Sequence, residues 1–328
     1  MIGRIMESER IVIIGPGRMG LGIALCFALR NARVSVIDGK ERSFDEHESI
    51  KKKAKEELYS NLRFLKKMGY LKGDLRRVIS NIVFSYGINR DNLEGNFVFE
   101  AIPERPDLKV ALLQRISSYL HRDSIVASTT STIDLKTLKK GFLYPEKLLI
   151  THWLNPAFII PLVEISRTDE TDMQAVSQMK NLLAKIGKMP VVLKDSPGFI
   201  IPRIQAVAMN EAVRILEEGI STAEDIDRAI KTGLGLRLCA FGLLEFIDMG
   251  GLDILYYADD FLHSAFKSER FRVPKLIEEK MKKGETGSRT GKGIYEYRDV
   301  EIKTLFERKY RDLIKLLGFV SFRKGGVG

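Results

Sequence analysis

Near its N-terminus the chain of 328 residues reads Ile11-Val12-Ile13-Ile14-Gly15-Pro16-Gly17-Arg18-Met19-Gly20. Four consecutive β-branched residues are typical of a strand that is buried on both faces of a sheet. Gly15 permits a tight turn, Gly17 lets the backbone approach a pyrophosphate, and Gly20 allows a helix to pack closely on the strand. We therefore predict a strand, a phosphate-binding turn that continues into Arg18 and Met19, and a helix whose N-terminal amides face the phosphates.

An acidic residue at the end of the next apolar run indicates which dinucleotide binds. Val34-Ser35-Val36-Ile37 is predicted to be the second strand, and Asp38 ends it. A carboxylate in this position accepts hydrogen bonds from the adenosine ribose hydroxyls and repels a 2′-phosphate. We predict NAD rather than NADP as the cofactor, although Lys40 and Arg42 lie nearby.

The rest of the N-terminal part repeats the alternation of short apolar runs and helical stretches. Further predicted strands are Phe97–Phe99, Ile125–Ala127, Leu148–Ile150, Leu162–Ile165 and Pro190–Leu193. Helices between strands imply right-handed crossovers, and hence an α/β domain with a Rossmann-type doubly wound parallel sheet. We place this domain at residues 1–194.

A long amphipathic segment interrupts that alternation. Between Ser43 and Met68 the apolar residues form a narrow helical stripe in a charged surround, namely Ile50, Ala54, Leu58, Leu62 and Leu65. The pattern predicts a long, exposed helix, followed by a second helix near Leu71–Ile79, which together form an arm at about 43–80. Two interpretations stay open for this arm, a solvated extension or one wall of a substrate site.

The character of the sequence changes after Asp195, beyond which we predict only helices. A periodic segment from Arg203 to Glu218 stops at Gly219, and Ser221 with Glu224 forms a capping box for the next helix. Further helices are predicted at Leu243–Phe266, Pro274–Lys283 and Val300–Leu317. We therefore place an all-helical domain, for substrate binding and dimerisation, at residues 195–328.

Composition argues against several other classes of protein. Hydrophobic residues make up 45% and charged residues 29% of the chain, as in globular proteins with a core. No apolar run approaches the length of a membrane span, and the first ten residues lack the apolar core of a signal peptide. We therefore expect a cytoplasmic protein without membrane contact. We interpret the formal charge of +10 as a solvated surface whose field favours phosphate-bearing ligands, not as a nucleic-acid site.

Cysteines and the remaining histidines carry no predicted chemistry. Cys26 and Cys239 each lie in an apolar stretch, and we expect two buried, reduced thiols. No His/Cys cluster has metal-ligand spacing, so no metal is predicted. The other histidines, His47 among them, have no partner pattern and are predicted to be surface or core residues.

A histidine at the end of a predicted strand is the candidate catalytic group. The segment reads Thr151-His152-Trp153-Leu154-Asn155-Pro156, and ligands of open α/β sheets bind at the carboxyl ends of strands. Oxidation of an alcohol needs a base for the hydroxyl proton, and an imidazole titrates near the working pH. Glu164 is the candidate carboxylate that holds the imidazole and stabilises its protonated form. Taken alone, the pattern leaves a structural histidine as the alternative.

Several motifs in order along the chain resemble the 3-hydroxyacyl-CoA dehydrogenase family, and the resemblance covers nearly the whole sequence. Besides the glycine-rich turn and Asp38, they are Glu100-Ala101-Ile102-Pro103-Glu104, Ser128-Thr129-Thr130-Ser131, His152 with Asn155-Pro156 and Glu164, Pro197-Gly198-Phe199-Ile200, Gly250-Gly251-Leu252-Asp253 and Thr290-Gly291-Lys292-Gly293-Ile294-Tyr295.

The resemblance implies a role for each matched site residue. His152 is then the general base and Glu164 its orienting partner, while Ser131 donates a hydrogen bond to the reacting oxygen. Asn155 fixes the loop that follows the histidine.

The same resemblance implies cofactor contacts and an assembly. Glu104 and Lys109 fall where the family contacts the cofactor near its nicotinamide ribose. Family members are typically homodimers joined through their helical domains, so a homodimer is expected here.

Two positions depart from the family pattern. The family has Asn-Arg after Gly-Phe-Ile-x, and that Asn contacts the substrate, whereas this chain has Pro202-Arg203. The serine-rich loop of the family begins with Asn, and Thr129 stands there in this chain. Since proline donates no hydrogen bond, loss of one polarising contact lowers turnover by about 10²-fold or more unless another group substitutes.

The sequence therefore predicts an NAD-dependent enzyme that interconverts 3-hydroxyacyl-CoA and 3-oxoacyl-CoA, a reaction of fatty acid metabolism. In this interpretation the basic residues of the arm, Lys51–Lys53 and Lys55, bind coenzyme A phosphates.

Residues 155–164 and 233–238 are also similar to lambda-crystallin type L-gulonate 3-dehydrogenases and carnitine dehydrogenases, which oxidise free 3-hydroxy acids. Arg237 would then pair with the substrate carboxylate. A third possibility is a non-catalytic dinucleotide-binding protein that lost its chemistry at Pro202.

Overall fold

The computed structural model describes residues 9–297 and 301–319 of the chain. The chain divides into two compact units, of which the first ends at Ala208 and the second begins at Met209. That division falls within one helix, Ile201–Glu217. The boundary near residue 194 between a cofactor domain and a substrate domain concerns function and stays a prediction.

The first unit is built on one eight-stranded sheet. Its strands are β1 (Ile11–Ile14), β2 (Val34–Asp38), β3 (Ile82–Tyr86), β4 (Phe97–Glu100), β5 (Ile125–Ser128), β6 (Leu148–Trp153), β7 (Leu162–Arg167) and β8 (Met189–Lys194). Their order in the sheet is β3-β2-β1-β4-β5-β6-β7-β8. The first six strands run parallel, so their carboxyl ends meet at one edge, and the order reverses between β1 and β4. In such sheets ligands bind outside the point of reversal.

All the predicted strands are present, and the doubly wound fold is confirmed. Strand β3, an edge strand of mixed burial, was not predicted from the sequence. Strands β7 and β8 run opposite to the other six, since β7 pairs antiparallel with β6 and parallel with β8, a reversal that the sequence pattern does not indicate. An antiparallel strand on a mainly parallel sheet is common in doubly wound proteins.

Helices cover both faces of the sheet, which explains the continuous apolar runs. Ile11 and Ile13 belong to a core cluster shared with α1 (Arg18–Ala28), α2 (Phe44–Lys67), α3 (Leu75–Ile79) and α6 (Met173–Lys185). Val12 and Ile14 point to the opposite face and belong to a second cluster with α4 (Pro106–Ser117) and α5 (Leu135–Lys139). Alternate residues of one strand thus anchor two separate layers.

The predicted long helix is confirmed as α2, and its cap explains where it begins. The Ser43 hydroxyl accepts from the Glu46 amide, and the Glu46 carboxylate accepts from the Ser43 amide. Four of the five stripe residues are buried in the first core cluster, with Ala54, Leu58 and Leu62 at most 3% exposed, whereas Ile50 is partly exposed. The expectation of an exposed arm is therefore wrong for this face, because α2 packs on the domain.

The second unit, described by itself, consists of helices. After α7 (Ile201–Glu217) come α8 (Ala223–Ala229), a π-helical turn (Ile230–Gly235), α9 (Leu236–Leu238), α10 (Leu243–Gly250), α11 (Leu252–Phe266), α12 (Lys275–Lys282) and α13 (Ile302–Phe319). Its described residues contain isolated bridges but no strand. An all-helical C-terminal part is therefore confirmed.

Two details of the helical part differ from prediction, and one lies outside the described residues. Thr222, not Ser221, caps α8 by accepting from the Asp225 amide. The helix predicted from Leu243 to Phe266 is broken by Gly251, whose φ of +109° ends α10. The predicted start of the last helix, Val300, lies outside the described residues.

The two cysteines have different environments. Cys26 is buried and donates to the carbonyls of Gly22 and Ala157. Burial raises its thiol pKa to about 11, against the smaller opposing effect of Lys188. Cys239 is exposed, so the expectation of two buried thiols is wrong for this residue.

A buried carboxylate organises the end of the second unit. Asp248 is fully buried and accepts from the amides of Ile294 and Tyr295, both at 2.8 Å, and from the hydroxyl of Tyr297 at 3.1 Å. A side chain at Gly293 would collide with this carboxylate. The glycine-rich signature at residues 290–295 thus wraps around Asp248, which explains its composition.

We expect Asp248→Ala to lower the free energy of unfolding by about 3 kcal/mol, because it leaves two partly buried amides and the buried Tyr297 hydroxyl without their acceptor. Urea denaturation measures this loss. Asp260→Ala, at an exposed position of α11, is the control and should change stability by less than about 0.5 kcal/mol. Equal effects of the two substitutions would contradict the assigned role of Asp248.

Candidate active site

The glycine-rich turn joins β1 to α1 with the geometry that a pyrophosphate needs. Gly15 has φ +114°, and a Cβ placed on it would lie 2.5 Å from the Ala101 carbonyl oxygen. Gly20 packs so tightly against the Gly15 carbonyl that no side chain fits. Gly17, in contrast, is exposed and has nothing within 4 Å of its Cβ position. Gly15 and Gly20 are therefore required by the fold, whereas Gly17 leaves open space for a ligand.

The N-terminus of α1 is free to bind an anion. Gly17 is its N-cap, no side chain caps the helix, and its first turn contains no acidic residue. Arg18 is exposed in that turn, and Met19 packs partly on the core. The uncapped amides and the helix dipole favour a phosphate at this position. These observations fit the predicted dinucleotide.

Contrasting effects are expected from alanine at the first two glycines. Gly15→Ala should lower the free energy of unfolding by about 2–4 kcal/mol, because the new Cβ meets backbone in a left-handed conformation. Gly17→Ala should leave stability within about 0.5 kcal/mol but raise the Kd for NADH about tenfold or more. Denaturation and NADH fluorescence titration measure the two effects. If Gly17→Ala bound NADH normally, the phosphate would not approach this turn.

Asp38 ends β2 at the same edge of the sheet. Its Oδ2 accepts from Arg42 Nε at 2.9 Å and from His47 Nδ1 at 3.0 Å. Its Oδ1 has a long contact of 3.4 Å with the amide of Lys40. The carboxylate is thus held by side chains on one oxygen and keeps acceptor capacity on the other.

The predicted catalytic pair is formed across the antiparallel strands. His152 on β6 lies directly opposite Glu164 on β7, and its Nδ1 is 2.7 Å from Glu164 Oε2. Both side chains are buried, at 4% and 1% exposure of the residue. The Phe199 ring lies 5.2 Å from the imidazole. The antiparallel strand that the sequence did not indicate is what brings the carboxylate to the histidine.

Glu164 is anchored by the start of α7 as well. Its Oε1 accepts from the amides of Ile200 and Ile201 at 2.9 and 3.0 Å. Burial raises its pKa, but the hydrogen bonds from His152 and from these two amides outweigh burial, so the net pKa is lowered from 4.5. The carboxylate is therefore ionised and fixed on both oxygens.

Glu104 stabilises, through hydrogen bonds, the serine-rich loop at residues 129–132 that follows β5. One of its oxygens accepts from the hydroxyl of Thr130 at 2.5 Å, from the amide of Ser131 at 2.9 Å, and from the amide and hydroxyl of Thr132. Burial alone would raise the pKa of Glu104, but these hydrogen bonds and Lys109 lower it overall. The loop that carries Ser131 is thus held close to the ends of β4 and β5.

Lys109 lies beneath this loop instead of facing it. It is 1% exposed, and its ammonium is 2.7 Å from Glu100 Oε1, 3.1 Å from the Ile102 carbonyl and 3.6 Å from Glu104 Oε2. Glu100 is also buried and accepts from Ser128 on the neighbouring strand. Lys109 is thus paired with Glu100, lies near Glu104 and presents no exposed charge of its own, and its contact with the cofactor stays a prediction.

Ser131 and Asn155 are both exposed. The ends of β4, β5 and β6 are adjacent, so Ser131 and His152 belong to the same edge of the sheet. Among the contacts of the described residues, none joins the Ser131 hydroxyl to His152, and the Asn155 side chain has no hydrogen bond. Their assigned roles stay predictions.

The departure at Pro202 is compatible with the local fold. Pro202 is the second residue of α7, where the backbone N–H has no partner within the helix. The backbone thus accepts proline without distortion. Compared with the Asn of the family, only the side chain differs, next to the amides that hold Glu164.

Two site residues were missed by the sequence analysis. His47 was predicted to have no partner, yet it is bonded to Asp38. Lys188 is buried and donates to the carbonyls of Ala157 and Ile160. These bonds fix the position of residues 157–160, which follow His152 in the chain. Neither residue belongs to the glycine-rich turn, to the end of a predicted strand or to a family motif. Their roles become visible only from contacts in the three-dimensional structure.

The described residues contain no group of three or more His, Cys, Asp or Glu side chains arranged for a metal ion. Among the helices described, none is both long and apolar enough to cross a membrane.

The fold and the site define a nicotinamide-dependent dehydrogenase with an N-terminal Rossmann domain and a helical C-terminal part. Family models support this class, since the NAD-binding domain of 3-hydroxyacyl-CoA dehydrogenase matches residues 10–196 and the C-terminal domain of the same enzyme matches residues 198–297. The chain belongs to the 3-hydroxyacyl-CoA dehydrogenase family, whose members use NAD. The predicted family, enzyme class and cofactor are therefore confirmed.

Individual relatives span nearly the full chain. The 5-formyl-3-hydroxy-2-methylpyridine 4-carboxylate 5-dehydrogenase of Mesorhizobium japonicum is 30% identical, over 96% of this chain and 99% of that protein. The mitochondrial hydroxyacyl-coenzyme A dehydrogenase of Homo sapiens is 29% identical, over 88% and 91%. The crystal structure of a 3-hydroxyacyl-CoA dehydrogenase from Archaeoglobus fulgidus has a TM-score of 0.76 and 31% identity, over 95% of this chain and 100% of that chain.

Proposed function

We propose that this enzyme interconverts a 3-hydroxyacyl-CoA and a 3-oxoacyl-CoA, with His152 as the general acid and base. The observation that carries this proposal is the buried His152–Glu164 pair at the cofactor edge of the sheet, with an Nδ1–Oε2 distance of 2.7 Å. NAD, when bound, accepts the hydride from the carbon that bears the hydroxyl.

The pair supports Nε2 as the nitrogen of His152 that exchanges the proton with the substrate. Glu164 is ionised and can only accept, so Nδ1 carries a hydrogen and donates it. In the neutral imidazole Nε2 then has the free lone pair, which accepts the substrate hydroxyl proton. The fixed carboxylate stabilises the imidazolium that results, and the nearly complete burial strengthens this interaction. In the reverse direction the same nitrogen returns the proton to the oxygen.

An acyl-CoA substrate is supported by the family and by charge. The human and Archaeoglobus relatives are named as a hydroxyacyl-coenzyme A dehydrogenase and a 3-hydroxyacyl-CoA dehydrogenase. Helix α2 offers the exposed lysines Lys52, Lys53 and Lys55 on its outer face, and coenzyme A carries phosphates that such charges attract. Oxidation of 3-hydroxybutyryl-CoA with NAD tests the proposal, and we expect turnover that depends on both compounds. No NADH formation with this or longer acyl thioesters would overturn it.

A free carboxylate substrate is the second candidate. It is favoured by the relative that is matched over 99% of its length and that acts, by its name, on a pyridine carboxylate. A crystal structure of an enzyme for this same substrate has a TM-score of 0.69 with 29% identity, over 96% of this chain and 99% of that chain. Arg237 is exposed, with its guanidinium 5.6 Å from the Phe246 ring centre, and it is the candidate partner for such a carboxylate. Turnover of the formylpyridine carboxylate with NAD, without turnover of thioesters, would favour this candidate.

Helix α7 supports the proposed homodimer. Its exposed apolar residues include Met209, Val213 and Leu216, which share one face at helical spacing and are 45–62% exposed in the single chain. Such an apolar face on a helix is typical of an interface. We expect multi-angle light scattering to give twice the mass of the chain, and Met209→Glu combined with Val213→Glu to give a monomer. A monomeric parent protein would contradict the homodimer.

A further inference from the structure

His47 donates a hydrogen bond to the Asp38 carboxylate. Its Nδ1 lies 3.0 Å from Asp38 Oδ2, and a carboxylate only accepts, so Nδ1 carries the hydrogen. His47 is 7% exposed and belongs to the first turns of α2. A helix outside the phosphate-binding turn therefore contacts the residue that ends β2.

The imidazole is held in place from two further directions. Its ring stacks on Tyr86, with centroids 4.6 Å apart and planes at 17°. Tyr86 itself ends β3 in register with Asp38. The capping box of Ser43 and Glu46 fixes the start of the helix that carries His47. The donor thus has little freedom to move away from the carboxylate.

A second donor uses the same oxygen of Asp38. Arg42 Nε lies 2.9 Å from Oδ2, but the Arg42 side chain is 26% exposed and follows β2 in a loop. Oδ1 has only the long contact with the Lys40 amide. Because both strong bonds fall on Oδ2, the carboxylate cannot turn freely, and Oδ1 is left as its available acceptor. Pro16, Asp38 and His47 line one cleft with Tyr86, so Asp38 lies where the phosphate-binding turn and α2 meet.

We propose that His47 is a positioning residue, which orients Asp38 toward the adenosine ribose hydroxyls and thereby strengthens the preference for NAD over NADP. The proposal rests on the proposed function, an NAD-dependent dehydrogenase, and on the predicted contact of Asp38 with the adenosine ribose of NAD. A fixed carboxylate gains directional bonds from a ribose diol, whereas a 2′-phosphate gains nothing from it. Loss of His47 is therefore expected to weaken the binding of NADH more than the binding of NADPH.

The test compares three substitutions at one position. His47→Leu removes the donor, His47→Asn keeps a donor near the place of Nδ1, and His47→Gln moves the donor toward the place of Nε2. We expect His47→Leu and His47→Gln to raise the Kd for NADH about five- to tenfold, as measured by fluorescence titration. The Kd for NADPH should change less than twofold, and His47→Asn should restore most of the NADH affinity. His121→Leu, an exposed histidine just before β5, is the control and should change neither Kd.

The outcomes separate this proposal from the assignment of Asp38. If Asp38→Ser leaves the Kd for NADH unchanged, the ribose contact itself is wrong. If Asp38→Ser raises that Kd but the His47 variants do not, or if NADH and NADPH weaken equally, the positioning role of His47 is wrong. In the Asp38→Ser background we expect His47→Leu to have no further effect, because His47 acts through the carboxylate. If His47→Leu fails to fold, the His47→Asn and His47→Gln pair decides the question.

Discussion

Replacement of His152 by alanine is expected to lower kcat by about 10²- to 10⁴-fold, the usual contribution of a general base. His152 Nε2 is the proposed acceptor of the hydroxyl proton, and without it the proton has only water as its acceptor. The imidazole lies on β6, away from the phosphate-binding turn between β1 and α1. We therefore expect the Kd for NADH to change less than about twofold.

The measurement is steady-state NADH oxidation with a 3-oxoacyl thioester, combined with NADH fluorescence titration of the same preparation. His121→Ala is the matched control at an exposed histidine and should keep full turnover. A His152→Ala enzyme with more than a tenth of the parent kcat would show that another group is the base.

The second large effect is expected from Glu164→Gln, which should lower kcat by about 10²- to 10⁴-fold while the fold is retained. The two backbone amides of Ile200 and Ile201 both donate to Oε1, so a glutamine must place its carbonyl there. Its NH₂ group then faces His152 Nδ1, which has to become an acceptor. The hydrogen of the neutral imidazole moves to Nε2, and the proposed base loses its lone pair.

Glu164→Asp is the companion variant, because it keeps the charge but shortens the side chain. It should retain more activity than Glu164→Gln if the tautomer matters more than the reach of the carboxylate. Kinetics with a thioester and circular dichroism on both variants make the comparison. Activity of Glu164→Gln within tenfold of the parent would contradict the assigned role of Glu164.

Local sequence patterns predicted those parts of the fold that depend on neighbours along the chain. The run from Ile11 to Ile14 indicated a strand, and the glycines after it indicated a turn. The cap and the apolar stripe of α2 indicated a helix and its buried face. The edge strand β3 was missed because one side of it is exposed, so its apolar residues do not form a continuous run. Gly251 was missed as a break because a glycine within a helical pattern is ambiguous until its positive φ is known.

The residues of the candidate site were predictable from the sequence, but most of the contacts between them were not. His152 and Glu164 were paired as candidates by their chemistry and by the family resemblance, but only the antiparallel register of β6 and β7 shows how they meet. The partners of Asp38 and the burial of Lys109 depend on contacts between separate elements. Such contacts leave no periodic trace in the sequence, which is why the role of His47 could not be found there.

The most direct test of the proposed function is the ratio of kcat/KM for acetoacetyl-CoA to that for free acetoacetate, measured with NADH as the reductant. We expect brisk turnover of the thioester and a ratio of about 10² or more, because the binding energy of coenzyme A positions the reacting carbon. Turnover of the thioester would also show that Pro202 is compensated. No turnover of the thioester, from a protein that binds NADH, would contradict the acyl-CoA assignment and favour a free carboxylate substrate.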